Sequence, residues 1–163
     1  MRFIFIITAF LFLATSVRSQ KKLDKVLEKL NKESVPYIQV EELSTMSNVI
    51  LLDTRKKEEF NVSHLKDAVW VGYKHFEIEL AKKSIPNANS TIVVYCSIGV
   101  RSEDIGEKLL KAGFNNVHNL YGGIFEWKEK GNIVVDDSDN ETQKVHVYSK
   151  HWGKLLTNAV KVY

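Results

Sequence analysis

The sequence predicts a three-layer α/β domain, with a central, mostly parallel sheet, helices on both faces and a C-terminal extension. Short apolar runs, clearest at 49–52 and 91–95, alternate with segments of helical periodicity. Strands that are apolar on both faces are typical of a parallel sheet covered by helices on each side. The length of 163 residues suits one such domain.

The composition is that of a globular protein. An apolar share of 44% and a charged share of 26% exclude a disordered or low-complexity chain. Arg2 and Arg18 lie in a segment that we expect to be removed, which leaves 21 basic and 20 acidic residues and a net charge of +1. This balance argues against a nucleic-acid partner.

The first residues are typical of a secretory signal peptide. Arg2 provides a basic start, an apolar run covers 3–14, and Ser19 offers a small residue before a cleavage point. We therefore expect a signal peptide at 1–19, cleavage near Ser19, export to the periplasm or the medium, and no stable membrane insertion afterwards. The run is shorter than the roughly 20 apolar residues that span a bilayer, which favours a cleaved signal peptide over the alternative, an uncleaved membrane anchor.

The remaining elements follow in chain order. Apolar residues at helical spacing predict an amphipathic helix over 21–32, within a helical segment at 20–35. Beyond it we predict strands at 37–40, 49–53, 68–71, 91–95 and 116–120, and helices at 41–45, 56–61, 76–82, 102–112 and 122–127. Ser102 is the predicted N-cap of the fourth of these helices, and Gly113 its C-terminal stop.

The extension at 132–163 has two parts. The acidic stretch 136–141 is predicted to be a loop. Residues 145–148 alternate in polarity, and 152–163 carry several apolar side chains. We expect this tail to cover a sheet edge or to meet a protein partner, including a second copy of the chain.

Cys96 is the sole cysteine. A single thiol excludes an intramolecular disulfide, a dithiol redox pair and a thiolate zinc cluster. Cys96 and Asp53 both end a predicted strand. The carboxyl ends of parallel strands are where open α/β sheets bind their ligands, so we expect the site there.

The loop 96–101 joins the strongest predicted strand to a helix. Such a loop aims several backbone N–H groups at one point, and the helix macrodipole adds positive potential. Gly99 permits the unusual backbone angles, and Arg101 adds a positive charge at the rim or braces the loop. We predict a nucleophilic Cys96 with a lowered pKa; a buried structural cysteine is the alternative.

These segments resemble the rhodanese-like domain family. The resemblance rests on the loop 96–101, on Leu-Tyr-Gly-Gly-Ile-Phe-Glu-Trp at 120–127, and on Leu-Leu-Asp-Thr-Arg at 51–55. An acid, an aromatic residue and a histidine follow, supplied by Glu58 or Glu59, Phe60 and His64. The resemblance covers 36–131 and implies a doubly wound α/β domain.

The resemblance also implies an activity. Cys96 maps onto a nucleophile that accepts sulfane sulfur as a persulfide and passes it to a thiophilic acceptor. The residues whose amides map onto the cradle for the persulfide and the donor anion are Ser97, Ile98, Gly99, Val100 and Arg101. We expect a small anionic donor such as thiosulfate, a thiol or cyanide acceptor, and no metal or organic cofactor.

Three supporting residues have two interpretations each. Asp53 and Arg55 either orient the cysteine loop and screen its charge or form a structural ion pair. His64 is either an acid or base or a structural hydrogen-bonding group. The family usually has Gly-His-Ile-Pro-Gly-Ala around this histidine, whereas this chain has Ser-His-Leu-Lys-Asp-Ala at 63–68.

Two other functions are compatible with the loop. Cysteine phosphatases and arsenate reductases use a similar cradle, but they have five residues between cysteine and arginine, and four separate Cys96 from Arg101. A non-enzymatic binding or sulfur-delivery module is the second alternative, because a fold does not fix a function.

Overall fold

Five parallel strands form the central sheet of the computed structural model, which describes residues 21–163. They are β1 (Tyr37–Ile38), β2 (Val49–Asp53), β3 (Val69–Trp70), β4 (Thr91–Tyr95) and β5 (Val117–Leu120). Their order across the sheet is β1-β5-β4-β2-β3, and every neighbouring pair is parallel. The central strand β4 is fully buried from Ile92 to Tyr95, because helices cover both faces of the sheet.

Within residues 21–163, six α-helices form the outer layers. They are α1 (residues 21–30), α2 (Val40–Leu43), α3 (Lys57–Val62), α4 (Ile78–Lys82), α5 (Val100–Lys111) and α6 (Gly123–Glu129). Leu27 of α1 and Phe125 of α6 belong to the core on one face. Ala81 of α4 and Leu109 of α5 belong to the core on the other. The predicted three-layer α/β architecture is confirmed.

The register of the sheet brings two loops together. Asp53 at the end of β2 lies opposite Tyr95 at the end of β4. The backbone N–H and the hydroxyl of Thr54 both donate to the Tyr95 carbonyl, at 2.9 and 3.0 Å. The segment after β2 is thereby tied to the residue that precedes Cys96.

Several predicted boundaries differ from the structure. The prediction that Ser102 is the N-cap of α5 is wrong: the N-cap is Gly99, with a φ of 105°, and the helix begins at Val100. Ser102 is instead inside the helix, where its hydroxyl donates to Asn119 Oδ1 at 2.7 Å. The helix predicted over 21–32 ends at residue 30. The strand predicted at 37–40 ends at Ile38, since Val40 already belongs to α2.

The C-terminal extension is part of the fold. It contains β6 (Val134–Val135), β7 (Glu141–Thr142), β8 (Lys144–His146), a 3₁₀ helix (Trp152–Leu155) and β9 (Val160–Val162). β6 and β7 form an antiparallel pair, so the predicted loop 136–141 is wrong at its last residue. β8 and β9 pair in parallel. Val145, Val147 and Leu156 are fully buried in the same core as α1 and α6, so the tail packs on a face of the sheet. We expected it either at a sheet edge or against a protein partner.

Within residues 21–163, no helix combines the length and apolarity required to cross a bilayer. The predicted signal peptide at 1–19 lies outside the described residues.

Candidate active site

Cys96 lies immediately after β4, and its side chain is turned towards the start of α5. The residue is 1% exposed. The backbone N–H of Gly99 donates to Cys96 Sγ across 3.2 Å. A left-handed backbone at Gly99 makes this turn possible, and glycine adopts that conformation without steric cost. Cys96 therefore lies at the N-terminus of a helix, with the N–H of the N-cap residue directed at its sulfur.

Two side-chain amides fix the orientation of Gly99. Its carbonyl accepts a hydrogen bond from Asn31 Nδ2 at 2.9 Å and another from Asn119 Nδ2 at 2.8 Å. Asn119 is the middle residue of a hydrogen-bonded chain that runs from the Ser102 hydroxyl to the Gly99 carbonyl. Asn31 comes from the segment after α1, so a region outside the central sheet helps to hold the cysteine loop.

A pair of glycines after β5 also supports the cysteine loop. Gly122 and Gly123 have φ values of 70° and 54°. The following amides, Ile124 and Phe125, donate to the carbonyls of Cys96 and Ser97 at 3.0 and 3.1 Å. A Cβ on Gly123 would lie 2.3 Å from the Cys96 carbonyl oxygen, which identifies the pair as a close-approach turn.

Arg101 braces the loop through Glu59 of α3. Its Nη1 and Nη2 donate to the two carboxylate oxygens of Glu59 at 2.8 and 2.9 Å, and Nη2 also reaches the Ser97 hydroxyl at 2.9 Å. The same carboxylate accepts from the Ser97 hydroxyl and from the Lys56 N–H. Burial raises the pKa of Glu59, but the hydrogen bonds and charge of Arg101 outweigh burial and leave that pKa below its usual range.

The thiol of Cys96 is acidified by its surroundings. Burial alone would raise its pKa. The charge of Arg101 and the backbone amides of Ser102 and Ile98 oppose burial and outweigh it, so the pKa lies below that of an ordinary thiol. A larger fraction of Cys96 is therefore thiolate, the nucleophilic form, at neutral pH.

Asp53 and Arg55 form a fully buried ion pair. Arg55 Nη2 lies 2.6 Å from Asp53 Oδ2 and also donates to the Ser63 carbonyl at 2.6 Å. The Arg55 backbone N–H donates to Asp53 Oδ1 at 2.9 Å. These contacts fold the 54–63 segment back onto the end of β2. The structural interpretation accounts for them directly, and the pair supports the cysteine loop through Thr54.

His64 lies in a structural position. Its Nδ1 is 3.0 Å from the Phe60 carbonyl, its ring stacks on Phe60, and its backbone exchanges two hydrogen bonds with Val135 of the extension. It is 6% exposed. The departure from the family pattern at 63–68 coincides with this bridge to the extension.

An open cleft of about 1050 Å³ lies above the cysteine. The cysteine loop forms its floor through Cys96, Ser97, Ile98, Val100 and Arg101. Residues 55–59 and 70–75 form one side, and the extension contributes His146, Tyr148, Trp152 and Tyr163. The Tyr148 ring faces Arg101, whose Cζ lies 5.6 Å from the ring centroid.

Several residues of this site were not assigned to it from the sequence, among them Glu59, Asn31 and Tyr148. Glu59 was visible as the acid of a motif, but its partner is 42 positions away. Asn31 and Tyr148 carried no local signal, because only the fold brings the N-terminal segment and the extension to the same cysteine.

A model of the rhodanese-like domain family matches residues 38–130. The chain belongs to the rhodanese-like family. The match corresponds to the region 36–131 identified from the motifs. Asn31 and the cleft residues of the extension lie outside the matched range, so segments on both sides of the family match contribute to the site.

Curated relatives include proteins of two descriptions. The chain is 23% identical over 96 residues to the thiosulfate sulfurtransferase GlpE of Coxiella burnetii, a match covering 59% of this chain and 87% of the relative. It is 31% identical over 100 residues to a tRNA uridine(34) hydroxylase of Photorhabdus laumondii, covering 58% of this chain. This chain spans 28% of that hydroxylase.

Solved structures show the same fold. A rhodanese-like domain from Anabaena sp. superposes with a TM-score of 0.57 at 23% identity, covering 62% of this chain and 79% of that one. A thiosulfate sulfurtransferase from Pseudomonas aeruginosa superposes with a TM-score of 0.58 at 21% identity, covering 74% of this chain and 23% of that one.

Proposed function

We propose that this rhodanese-like protein is a sulfurtransferase that carries sulfane sulfur as a persulfide on Cys96. The observation that carries the proposal is the Gly99 N–H donated to Cys96 Sγ at 3.2 Å, at the start of a twelve-residue helix. Backbone donors and the helix dipole stabilise negative charge at this point in the thiolate and in the persulfide. The GlpE relative supports the same chemistry.

The reaction has two halves. The Cys96 thiolate attacks the outer sulfur of thiosulfate, a new S–S bond forms, and the S–S bond of the donor breaks with its electron pair leaving on sulfite. In the second half an acceptor thiol bonds to the outer sulfur and gives that sulfur its proton, while Cys96 departs as thiolate. Cyanide takes the sulfur in the same way and becomes thiocyanate. Neither half requires a metal or an organic cofactor.

The contacts of Arg101 favour sulfur transfer over the phosphatase alternative. A phosphatase arginine must present its guanidinium to a tetrahedral oxyanion, whereas both Nη atoms of Arg101 already bind Glu59. The four-residue spacing before Arg101 agrees with this interpretation. In the proposed reaction Arg101 acidifies Cys96 and holds the loop, and the backbone amides receive the sulfur anion.

The intact mass of the protein tests the proposal. Incubation with thiosulfate, followed by removal of excess donor, should add one sulfur atom, and a thiol should reverse the gain. Cys96→Ser is the matched control and should gain nothing. A folded protein with reduced Cys96 that gains no mass would overturn the proposal and favour the binding-module alternative.

We also propose that the chain is exported and that its signal peptide is cleaved near Ser19. The support is the basic start, the apolar run and the small residue at 19. Expression of the full chain in a secretion-competent host, with mass analysis of each fraction, tests this proposal. A mature form beginning at Gln20 outside the cytoplasm is expected; full-length protein retained inside the cell would contradict it.

A further inference from the structure

We infer that the cleft above Cys96 selects an acidic thiol of peptide size as the sulfur acceptor, and that the C-terminal extension supplies part of this selectivity. This inference rests on the proposed function, because it names the acceptor class of the same site. It concerns the outer half of the cleft, between Lys56 and the extension.

The first support is the size of the cleft. Thiosulfate and cyanide consist of only a few atoms, so neither would fill the cleft. The cleft of about 1050 Å³ extends well beyond the cysteine loop, and volumes of roughly 300–1,000 Å³ are typical of sites for drug-sized ligands. A larger molecule can therefore contact the walls while its sulfur reaches Cys96.

The second support is the charge of the walls. Lys56, Lys57 and Lys74 line the cleft with Glu58 and with the Glu59–Arg101 pair. That pair neutralises itself through two hydrogen bonds. The remaining lysines outnumber the remaining carboxylate, so the rim carries a positive potential. Such a rim attracts anionic ligands and raises their local concentration.

The third support is the arrangement of rings around these cations. The Lys56 ammonium lies 5.3 Å from the centroid of the Tyr148 ring, and the Lys57 ammonium lies 5.1 Å from the Trp70 ring. Rings at these distances attract the ammonium groups and limit their excursions. Tyr148 connects the extension to the cysteine loop, since its ring also faces the Arg101 guanidinium.

The backbone at Tyr148 strengthens this assignment. Its φ of 62° is in the left-handed region, which is unfavourable for a tyrosine. The Tyr148 N–H donates to His146 Nδ1 at 3.1 Å, and the neighbouring Val147 is fully buried. The buried Val147 and the turn after β8 together place the Tyr148 ring at the cleft, although 53% of the tyrosine remains exposed.

The transfer step is the second half of the proposed reaction. The acceptor thiol forms an S–S bond with the outer sulfur of the Cys96 persulfide, the S–S bond to Cys96 breaks, and Cys96 leaves as thiolate. The thiol proton moves to the outer sulfur. The carboxylates of the acceptor remain near Lys56 and Lys57 throughout, so they lower the KM of the acceptor half-reaction.

Acceptor kinetics on the persulfide-loaded protein test the inference. N-acetylcysteine and its amide differ by one carboxylate, and reduced glutathione is a peptide-sized acid. We expect the carboxylate forms to have the higher kcat/KM, and Lys56→Gln to reduce their advantage about two- to fivefold, the size expected for one exposed charge. The amide should be unaffected. Lys66→Gln, an exposed lysine away from the cleft, is the matched control.

A second measurement works even if no persulfide forms. Iodoacetate and iodoacetamide alkylate the free Cys96 thiol and differ in charge. The quantity measured is the ratio of the alkylation rate with iodoacetate to the rate with iodoacetamide. This ratio should be higher for the wild-type protein than for a free cysteine peptide. Both Lys56→Gln and Tyr148→Ala should reduce the ratio, whereas Lys66→Gln should leave it unchanged. Equal ratios in wild type and Lys56→Gln would overturn the inference. Failure to load sulfur with an intact alkylation preference would overturn the proposed function, and with it the role of the acidic thiol as acceptor, and would leave only the preference of the cleft for anions.

Discussion

The guanidinium of Arg101 and the carboxylate of Glu59 meet through two parallel hydrogen bonds of 2.8 and 2.9 Å. Glu59 is almost fully buried, whereas 22% of the Arg101 side chain is exposed towards the cleft. The pair connects α3 to the first turn of α5 and lies beside the thiol. It therefore combines two tasks: it braces the cysteine loop, and it sets how much positive charge Cys96 experiences.

Replacing Arg101 with glutamine should raise the pKa of Cys96. The charge of Arg101 stabilises the thiolate, so its loss favours the protonated thiol. The rate of persulfide formation at neutral pH should fall about tenfold or more, which corresponds to a rise of roughly 1.4 kcal/mol in the activation free energy. The pH dependence of iodoacetamide alkylation measures the shift directly. If the midpoint of the alkylation pH profile is unchanged but the reaction with thiosulfate is slower, Arg101 acts in donor binding and does not set the pKa of Cys96.

Replacing Glu59 with glutamine should change how stability depends on pH. The pKa of Glu59 is lower in the folded protein than in the unfolded chain. Its ionised form therefore contributes stability that is complete above the unfolded carboxyl pKa and is lost as the pH falls through the folded pKa. We expect Glu59→Gln to cost about 1–3 kcal/mol at neutral pH and much less in acid. Urea unfolding at a series of pH values measures the difference.

Glu59→Gln also separates the two roles of the Glu59–Arg101 pair, which are bracing the cysteine loop and setting the positive charge near Cys96. Without the Glu59 carboxylate, the Arg101 charge acts on Cys96 unopposed, so the pKa of the thiol should fall. Arg101→Gln and Glu59→Gln thus move the alkylation midpoint in opposite directions. Shifts in the same direction would mean that loss of loop structure, and not charge, dominates both variants.

Most of the sheet, but only part of the site, could be predicted from the sequence. The apolar runs that became β2 and β4 were evident because both faces of those strands are buried, and Cys96 and Gly99 were evident because they adjoin a strand end. The predicted start of α5 was wrong because Ser102 is a good N-cap by residue type, whereas the left-handed Gly99, three residues earlier, is the N-cap in the structure. Asn31, Glu59 and Tyr148 depend on long-range contacts that no local pattern encodes.

Removing Asp53 should destabilise the fold. Asp53→Ala leaves the Arg55 guanidinium buried without its carboxylate partner, since both side chains are fully inaccessible. Breaking a buried pair in this way costs roughly 3–5 kcal/mol. Chemical denaturation measures the loss, and Glu79→Ala, which removes a largely exposed partner of Lys82, should change stability by less than about 0.5 kcal/mol. A small effect at Asp53 would mean that Arg55 finds another partner.

Asn31 should act as a positioning residue for the cysteine loop. Asn31→Ala removes one of the two amides that hold the Gly99 carbonyl, and Gly99 donates to Cys96 Sγ. We expect slower persulfide formation and a higher alkylation midpoint, with a stability loss of only about 0.5–1.5 kcal/mol. Asn31→Gln tests whether an amide on a side chain that is one methylene longer can still donate to the Gly99 carbonyl. A purely structural role would lower stability and leave the alkylation midpoint unchanged.

The extension should be required for folding as well as for the cleft. Leu156 is fully buried among the core residues that include Phe125 of α6, and nearby Thr157 and Asn158 donate to the Glu129 carboxylate. Leu156→Ala should therefore cost about 2–5 kcal/mol, as large-to-small changes in a packed core do. Val160→Ala is the matched control in the same extension, because Val160 is 56% exposed. If thermal unfolding instead shows two equally stable variants, the extension is an accessory that docks on a domain already complete at α6.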